Sequence, residues 1–557
     1  MHTILIQMAA PSPRPGARPF PLRRWQDLPL LLVAGLLLLP VLAVLGSWFS
    51  WNAGSAQILR EMAATVLPDY ARTSLVLCAA VAAGAALVGT ACAAAVTLFD
   101  FPGRRQFEWA LLLPLAMPAY VVAYAYTDFL QFSGPLQTWM RARWGLEGRV
   151  FPEVRSLGGA VFVFVFALYP YVYLLVRTAL AERAAQLMEA ARLLGAPLAR
   201  RIRTVAMPLA RPAIAAGVAL ALMETLADFG VASYFGIQTF STGIYKAWLA
   251  MDNRIAAAQL ATALLAVVAA LLALEARAQK RLRFAATRAR GGAEAHPIAL
   301  RGAARVLAWC TCTLPVLLGF VLPLAFMLRP LTADASVLPW DRFLLWAFNS
   351  LRLAALSAAL AVAIALMLAY RLRRAPHGLT RGVAQLAGLG YAVPGAVLVV
   401  GLLLPVGWLQ QAWPESAAGY WITATVLGIV WAYLVRFVSV ALQAMRSGYA
   451  RIPASLDDSA RMLGAGGAAL LARVHWPLLK RSTAAAALLV FVDVMKELPA
   501  TLVLRPFDSD TLAVVAYQLA RDERLAEAAL PSLALVLVGL VPVILLSRTL
   551  RGPARYR

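Results

Sequence analysis

Two apolar stretches of the sequence each carry a pair of acids spaced four residues apart. The first pair is Glu224 and Asp228, and the second is Asp493 and Glu497, with Lys496 beside it. Residues four apart lie on one face of an α-helix, so each pair would point two carboxylates in the same direction. The two pairs are separated by 269 residues (493 − 224 and 497 − 228). This constant offset indicates an internal repeat.

Acids inside an apolar helix are costly. Each would cost about 2.5–3.5 kcal/mol near the centre of a membrane helix, so we expect these acids to face a protein interior, a water-filled path or a charged partner. Arg436 lies in another apolar stretch and is a candidate partner for one of them. Two interpretations fit: a path for a cationic substrate, or a gate and capping network where the helices break at Gly230 and Pro499. No metal ligand set is assigned from the sequence.

A second repeated pattern lies between apolar stretches. Each copy has an acid, an alanine two residues after the acid, a glycine six residues after the acid, and a proline thirteen residues after the glycine. The residues of the two copies are Glu189, Ala190, Gly195 and Pro208, and Asp458, Ala460, Gly464 and Pro477. The offset is again 269 residues (458 − 189 and 477 − 208). A glycine can end a helix in the left-handed conformation, so the pattern predicts a helix, a break and a second short helix, with the proline marking a turn back to the membrane.

The composition is that of a membrane protein. The chain has 557 residues, of which 62% are hydrophobic and 14% charged, and its mean hydropathy is +0.73. A soluble chain of this length could not bury so much apolar surface. The net charge of +24 does not indicate nucleic-acid binding, because the basic residues concentrate in alternate loops between apolar runs. The four cysteines lie inside apolar runs and are interpreted as packing residues.

Runs of about 20 apolar residues predict transmembrane helices. We expect an all-α polytopic membrane protein with twelve such helices, arranged as two repeated halves of six. The predicted spans are 28–49, 73–98, 108–130, 158–180, 212–233 and 256–276, followed by 303–328, 349–370, 383–408, 417–442, 482–503 and 527–547.

The spans divide the chain into four parts. A basic leader, 1–27, precedes the first transmembrane domain, 28–278, and a polar linker, 279–302, precedes the second, 303–557. The first apolar run is too long for a signal peptide, so we expect it to be retained. The loops on the side of the termini carry 35 of the 51 lysines and arginines, which places both termini in the cytoplasm. The loop 130–157 runs against this rule, because it carries four arginines on the opposite side.

The repeated acid–glycine–proline pattern resembles the EAA signature of ABC importer permeases. In that family the segment forms a coupling helix that sits in a groove of a separate ATPase subunit. The resemblance implies a type I importer fold in the bacterial inner membrane, two ATPase copies and a periplasmic substrate-binding protein. The motif residues of both copies would then carry the ATPase contact, although the second copy has Asp-Ser-Ala in place of Glu-Ala-Ala. The chain has no G-x-x-x-x-G-K-[ST] sequence, so we expect no cofactor on this chain and ATP with magnesium on the partner.

The stretches around the two acid pairs also resemble those of ferric-iron uptake permeases, which fuse two six-helix halves. These stretches are 224–248 and 495–512. The resemblance implies delivery of iron(III) and assigns Glu224, Asp228, Asp493, Lys496 and Glu497 to a translocation path or gate. Thiamine, polyamine or phosphonate permeases are the alternative substrate classes. A twelve-helix secondary transporter driven by an ion gradient is the alternative of another class, because it would also show repeats and membrane acids.

Overall fold

The computed structural model describes residues 28–49, 53–181, 185–286, 297–333 and 338–550. Over these ranges the chain is almost entirely helical, as the apolar runs predict. The expected leader 1–27 and part of the expected linker, 287–296, lie outside the described residues.

The helices are numbered in chain order. Up to residue 286 they are α1 Leu28–Gly46, α2 Ala53–Thr65, α3 Leu67–Leu98, α4 Arg104–Ala110, α5 Ala119–Leu130, α6 Pro135–Trp144, α7 Leu157–Ala179, α8 Ala185–Leu193, α9 Leu198–Arg201, α10 Met207–Ala227, α11 Gly230–Tyr234, α12 Phe240–Tyr245 and α13 Arg254–Ala286. From residue 303 they are α14 Ala303–Val316, α15 Leu322–Ala333, α16 Trp340–Arg374, α17 Gly378–Leu389, α18 Gly395–Ala412, α19 Ala418–Thr423, α20 Val426–Tyr449, α21 Ala454–Met462, α22 Gly467–Ala469, α23 Trp476–Lys496, α24 Pro499–Leu504, α25 Leu512–Arg521 and α26 Leu525–Leu550.

Short irregular elements interrupt or join these helices. Among the described residues, π-helical segments include Ile202–Ala206, Lys246–Ala250, Leu317–Val321 and Leu470–His475. The 3₁₀ turns there include Ser47–Phe49, Leu113–Ala116 and Gly390–Ala392. The two strands, β1 Phe99–Asp100 and β2 Ile298–Ala299, form one short parallel pair.

Ten helices of the described chain are long and apolar enough to cross a membrane, or eleven if one bent helix pair forms a single span. The bent pair covers the predicted span 108–130: its two arms, Arg104–Ala116 and Ala119–Trp144, meet at 88° beside Pro118. The predicted span 482–503 is interrupted, because α23 ends at Lys496 and a new helix begins at Pro499. The expected number of twelve spans remains a prediction.

Two compact units account for the packing. Unit 1 consists of the described residues up to 56 with 247–265 and 345–511, and unit 2 consists of 57–246, 266–344 and the described residues from 512. Each unit therefore draws on both halves of the sequence. The repeat-based domains 28–278 and 303–557 follow sequence similarity rather than packing, and they remain a prediction.

In unit 1 the first helix packs against helices from the other half of the sequence. Pro40 lies inside α1 and has no N–H, so the carbonyl of Leu36 loses its intrahelical donor. The indole N–H of Trp431, on α20, donates to that carbonyl at 2.7 Å. Gly401 of α18 lies so close that an added Cβ would be 2.2 Å from the Pro40 oxygen. These contacts fix α1 on α18 and α20.

In unit 2 small residues allow three long helices to approach closely. Helices α3 and α10 both pack on α7 around Val172. A Cβ added at Gly89 would lie 2.7 Å from the Val172 Cβ, and one added at Gly217 would lie 2.6 Å from the Val172 Cα. Close backbone approach at glycine is the usual way in which membrane helices gain contact, since burying apolar surface from lipid gives them no driving force. This packing positions α10, which carries the first acid pair.

We expect Gly401→Leu to destabilise the chain by about 1–3 kcal/mol, the usual cost of overpacking. The new side chain would collide with backbone of α1 rather than with a movable side chain. The matched control is Gly35→Leu, because a Cβ at Gly35 on α1 meets nothing within 4 Å. Thermal unfolding of the purified chain in detergent measures the difference, and equal midpoints for the two variants would contradict the tight α1–α18 contact.

Candidate functional site

The two copies of the repeated motif form two bent segments, here called the first elbow (185–208) and the second elbow (454–477). In the first elbow α8 ends at a glycine in the left-handed region, Gly195, with φ of 77°. The N–H of Ala196 donates to the carbonyl of Ala191, and the N–H of Gly195 donates to that of Arg192. This pair of bonds is the Schellman arrangement, which satisfies the last carbonyls of a helix without any side chain.

The second elbow ends its first helix in the same way. Gly464 has φ of 81°, Ala465 N–H donates to Ala460 O, and Gly464 N–H donates to Arg461 O. A Cβ at either terminal glycine would meet nothing within 4 Å. The glycines are therefore required by the backbone conformation and not by crowding. The sequence-based expectation of a helix ended by glycine is confirmed at both positions.

The prolines of the motif act differently from the expectation. Pro208 and Pro477 do not turn the chain; each lies in the first turn of a long helix, α10 or α23, directly after a π-helical segment. A proline cannot donate to the carbonyl four residues earlier. The helix widens at this point, since Met207 N–H donates to Ile202 O, five residues back. The π segments thus accommodate the proline within one continuous helix.

Each elbow exposes an apolar pair immediately before its glycine. Leu193 and Leu194 are 84% and 87% exposed, and Met462 and Leu463 are both 89% exposed. The acids Glu189 and Asp458 and the prolines Pro208 and Pro477 are also exposed. The apolar pairs were not singled out from the sequence, although they recur at the 269-residue offset (462 − 193). The two elbows therefore share an exposed apolar pair at matching positions.

The first acid pair lies where α10 breaks. Helix α10 ends at Ala227, and the chain becomes extended at Asp228 before α11 begins at Gly230. The Asp228 Oδ1 accepts a hydrogen bond of 2.8 Å from the N–H of Val231. The carboxylate therefore caps the helix after the break, where free N–H groups and the helix dipole favour an anion.

The second acid pair lies at the equivalent break after α23. One oxygen of Glu497 accepts from Ala500 N–H and the other from Thr501 N–H, both at 3.0 Å. The Thr501 hydroxyl donates to the same carboxylate at 2.6 Å. Arg436 on α20 lies 3.5 Å from Glu497, and both side chains are largely buried. Arg436 therefore partners Glu497, a choice that the sequence left open.

The remaining charged residues of the two breaks are half-buried. Glu224 lies in the last turn of α10, and Asp493 and Lys496 lie in the last turn of α23. Each unit thus brings its own acids to the end of one broken helix. Within the described ranges, no three His, Cys, Asp or Glu side chains gather as a metal centre would require.

Several known transport proteins are similar to this chain in sequence. Residues 85–283 match the family described as binding-protein-dependent transport system inner membrane component. The Fe(3+)-transport system permease protein FbpB 2 of Haemophilus influenzae is 25% identical over 94% of this chain and 98% of its own length. The sulfate transport system permease protein CysW of Escherichia coli is 31% identical over 40% of this chain and 74% of its own length. The putative 2-aminoethylphosphonate transport system permease protein PhnU of Salmonella choleraesuis is 28% identical over 31% of this chain.

The match to CysW covers most of that permease, and the match to FbpB 2 extends over nearly the whole of both chains. Ten helices of the described chain have the length and composition of membrane spans. The chain therefore belongs to the family of binding-protein-dependent transport system inner membrane components, and it is a multi-pass inner-membrane permease of the ABC importer type rather than an enzyme.

Proposed function

We propose that this chain is the membrane permease of an ATP-driven importer that carries iron(III) from a periplasmic binding protein across the inner membrane. A separate ATPase subunit supplies the energy through the two elbows. The observation that carries this proposal is the pair of matching elbows, each with an exposed apolar pair beside a left-handed glycine.

The elbows suit docking into grooves of a soluble partner. Burying one leucine-sized side chain contributes about 1.5–3 kcal/mol, so each apolar pair offers several kcal/mol to an interface. The elbows repeat the same backbone geometry, which supports one ATPase copy on each. The sequence has no P-loop pattern, so ATP and magnesium would bind to these partners and no cofactor to this chain.

The proposed topology has twelve spans in two halves of six. Ten of the described helices are already long enough to span a membrane. The bent pair near Pro118 would be the eleventh span, and the broken helix α23 with α24 would be the twelfth. Both termini would lie in the cytoplasm with the elbows, because the loops of that side carry most of the basic residues. The permease domains would be 28–278 and 303–557, joined by the linker 279–302 and preceded by the leader 1–27.

Two observations support iron(III) as the substrate. The similarity to FbpB 2 runs over nearly the whole chain, whereas the similarity to CysW covers less than half of it. The broken helices carry four carboxylates, which attract a hard cation and repel sulfate or a phosphonate. Thiamine and polyamines are also cations. Among the alternative substrates, the acids therefore favour these two over phosphonate.

An ion-coupled secondary transporter is the alternative from another class. Such a protein would move its substrate without an ATPase and would have no use for two exposed elbows. Proteoliposomes that contain the purified chain alone separate the two classes. Uptake of iron(III) driven by an ion gradient would support the secondary transporter, and uptake that requires added ATPase subunit and ATP would support the importer.

Replacing the apolar pair of either elbow should remove one ATPase copy. The variants are Leu193→Gln with Leu194→Gln, and Met462→Gln with Leu463→Gln. We expect each to weaken ATPase binding by about 100-fold or more, because two large side chains lose their buried contacts. Native mass spectrometry of the affinity-purified complex should find one ATPase copy for either double variant and none for the combination.

The control for these variants is Phe507→Gln, which removes an equally exposed apolar side chain outside the elbows. It should retain both ATPase copies. Two bound copies in the combined elbow variant would show that the elbows are not the docking surface.

Replacing the helix-ending glycines tests the backbone of the elbows. Gly195→Val or Gly464→Val would force a side chain into the left-handed region, at a cost of about 1–2 kcal/mol. We expect reduced co-purification of the ATPase with normal membrane insertion. Gly388→Val is the matched control, because Gly388 also has open space around its Cα but no positive φ. Normal ATPase yield from both elbow variants would contradict the docking role.

Neutralising the acids separates their charge from their capping role. Asp228→Asn keeps an oxygen that can accept from Val231 N–H, whereas Asp228→Ala removes it at a cost of about 0.5–2 kcal/mol in stability. If the charge attracts the substrate, the fourfold variant Glu224→Gln, Asp228→Asn, Asp493→Asn and Glu497→Gln should lose most radiolabelled iron(III) uptake in a strain lacking the natural permease.

Asp341→Asn is the control, because Asp341 is an exposed acid in the first turn of α16. Its uptake should equal that of the unchanged chain. Full uptake by the fourfold variant, with the protein present at normal level in the membrane, would assign these acids to capping alone.

A further inference from the structure

The second elbow contains a buried acid that is separate from its exposed motif. Asp457 lies in the first turn of α21, one residue before Asp458, and is 3% exposed. Its position at a helix N-terminus favours a negative charge. An acid so deeply buried requires partners, since an unpaired buried charge is among the most costly features of a folded protein.

Two side chains bind this carboxylate, and a third contacts one of them. Arg373, in the last turn of α16, donates from Nε to Oδ2 at 2.9 Å and from a terminal nitrogen to Oδ1 at 3.3 Å. His475 is fully buried, and its Nε2 lies 3.0 Å from the same Oδ1. The Nδ1 of His475 lies 3.3 Å from the Tyr449 hydroxyl. A proton on Nε2 satisfies both contacts, since Nε2 then donates to Asp457 and Nδ1 accepts from Tyr449.

The carboxylate is ionised at neutral pH. Burial by itself would raise the pKa of Asp457, but the hydrogen bonds from Arg373 and His475 and the positive charge of Arg373 outweigh burial and hold the pKa below its ordinary value. The Arg373 pair uses two parallel hydrogen bonds, which is the strong and directional form of this interaction. The network is therefore a geometrically specific ion pair rather than a loose surface contact.

The last turn of α16 holds both arms of the elbow. Arg373 binds Asp457 in α21, before the glycine break. Tyr370 donates to the carbonyl of Gly467 in α22, after the break, at 2.7 Å. A Cβ at Gly467 would lie 2.3 Å from an Arg374 nitrogen, so this part of the elbow presses closely on α16. His475, at the end of the π segment, joins the same network from the second arm.

The first elbow has apolar residues at the equivalent positions. At the 269-residue offset, Asp457, His475 and Tyr449 correspond to Met188, Ala206 and Leu180. All three of these first-half side chains are buried. The two elbows thus share their backbone break and their exposed apolar pair, but they are attached to the rest of the chain by different chemistry.

We propose that Asp457 is a positioning residue that clamps both arms of the second elbow to the end of α16 through Arg373 and His475. The second elbow then moves with α16 as one body, whereas the first elbow has buried apolar side chains in place of this network. The consequence for transport rests on the proposed function. A movement that the ATPase imposes on the second elbow is transmitted directly to α16, so the two elbows transmit ATPase movement to the membrane helices unequally.

The clamp is tested on the purified chain without any partner. Hydrogen–deuterium exchange is followed for 454–462, 467–475 and 370–374, with 185–206 as the internal reference. Asp457→Asn should raise exchange about tenfold in all three segments together, because local opening would then release both arms from α16. The reference should be unchanged. If exchange rises only in 454–462, Asp457 stabilises the first turn of α21 and does not hold the elbow on α16. This result would overturn the clamp.

Further variants separate the clamp from misfolding. The triple variant is Asp457→Met, His475→Ala and Arg373→Leu. Its first two changes introduce the residues that the first elbow has at the equivalent positions, and the third ensures that no unpaired buried charge remains. It should remain folded and raise exchange in the same three segments. His475→Gln keeps an N–H that can donate to Asp457 and should stay close to the unchanged chain, as should Asp341→Asn at the other end of α16. No change in the triple variant would refute the clamp.

A second measurement tests the coupling. With ATPase subunit added, the ratio of iron(III) transported to ATP hydrolysed should fall about fivefold in Asp457→Asn, at the lower end of usual coupling between sites. ATPase binding should persist, since the exposed apolar pairs are unchanged. If the unchanged chain binds no ATPase, the proposed function fails while the exchange result still stands. A normal transport ratio with faster exchange in all three segments would refute the unequal coupling.

Discussion

The fold of this chain depends on a hydrogen-bond partner for every backbone N–H and C=O that lies away from water. In an apolar environment an unpaired backbone group costs several kcal/mol, so each interruption of a helix requires a specific substitute partner. Pro40 frees the carbonyl of Leu36, and the Trp431 indole takes the place of the missing N–H. The breaks after α10 and α23 free N–H groups, and Asp228 and Glu497 accept from them. Asp228 and Glu497, which the sequence suggests as functional residues, therefore have a structural role that does not depend on a substrate.

The elbows solve the same problem in the opposite way. Their helices end at Gly195 and Gly464 with backbone-to-backbone bonds, so no side chain is used to satisfy the break. The side chains next to these glycines remain free to face outward, and they are apolar. A break capped by an acid consumes a charge inside the protein, whereas a break closed by glycine leaves a surface for a partner. This difference explains why one repeated sequence produces both an internal group of charged side chains and an exposed apolar surface.

The parts of the fold that depend on local sequence could be predicted, and the parts that depend on distant contacts could not. Apolar runs locate most of the long helices, and a glycine six residues after an acid locates the helix ends at Gly195 and Gly464. The role of Pro208 was predicted wrongly, because the π segment that accommodates it has no clear local signature. The partner of Arg436 lies 61 residues away, and α1 packs on helices from the other half of the sequence. Such choices depend on tertiary packing, which spacing and hydropathy do not encode.

Fusion of two halves into one chain removes a constraint that a symmetric dimer would impose. In a homodimer every substitution appears on both sides of the axis, so a charged residue placed in one elbow is also placed in the other. Here the second half has Asp457 and Arg436 where the first has Met188 and Ala167, and both acidic and basic members of each ion pair lie in unit 1. Charged contacts are directional and lose their value when a partner shifts, whereas apolar contacts tolerate sliding. The same repeat can therefore hold one elbow in a fixed geometry and leave the other more adaptable, a division of roles that two identical subunits could not adopt.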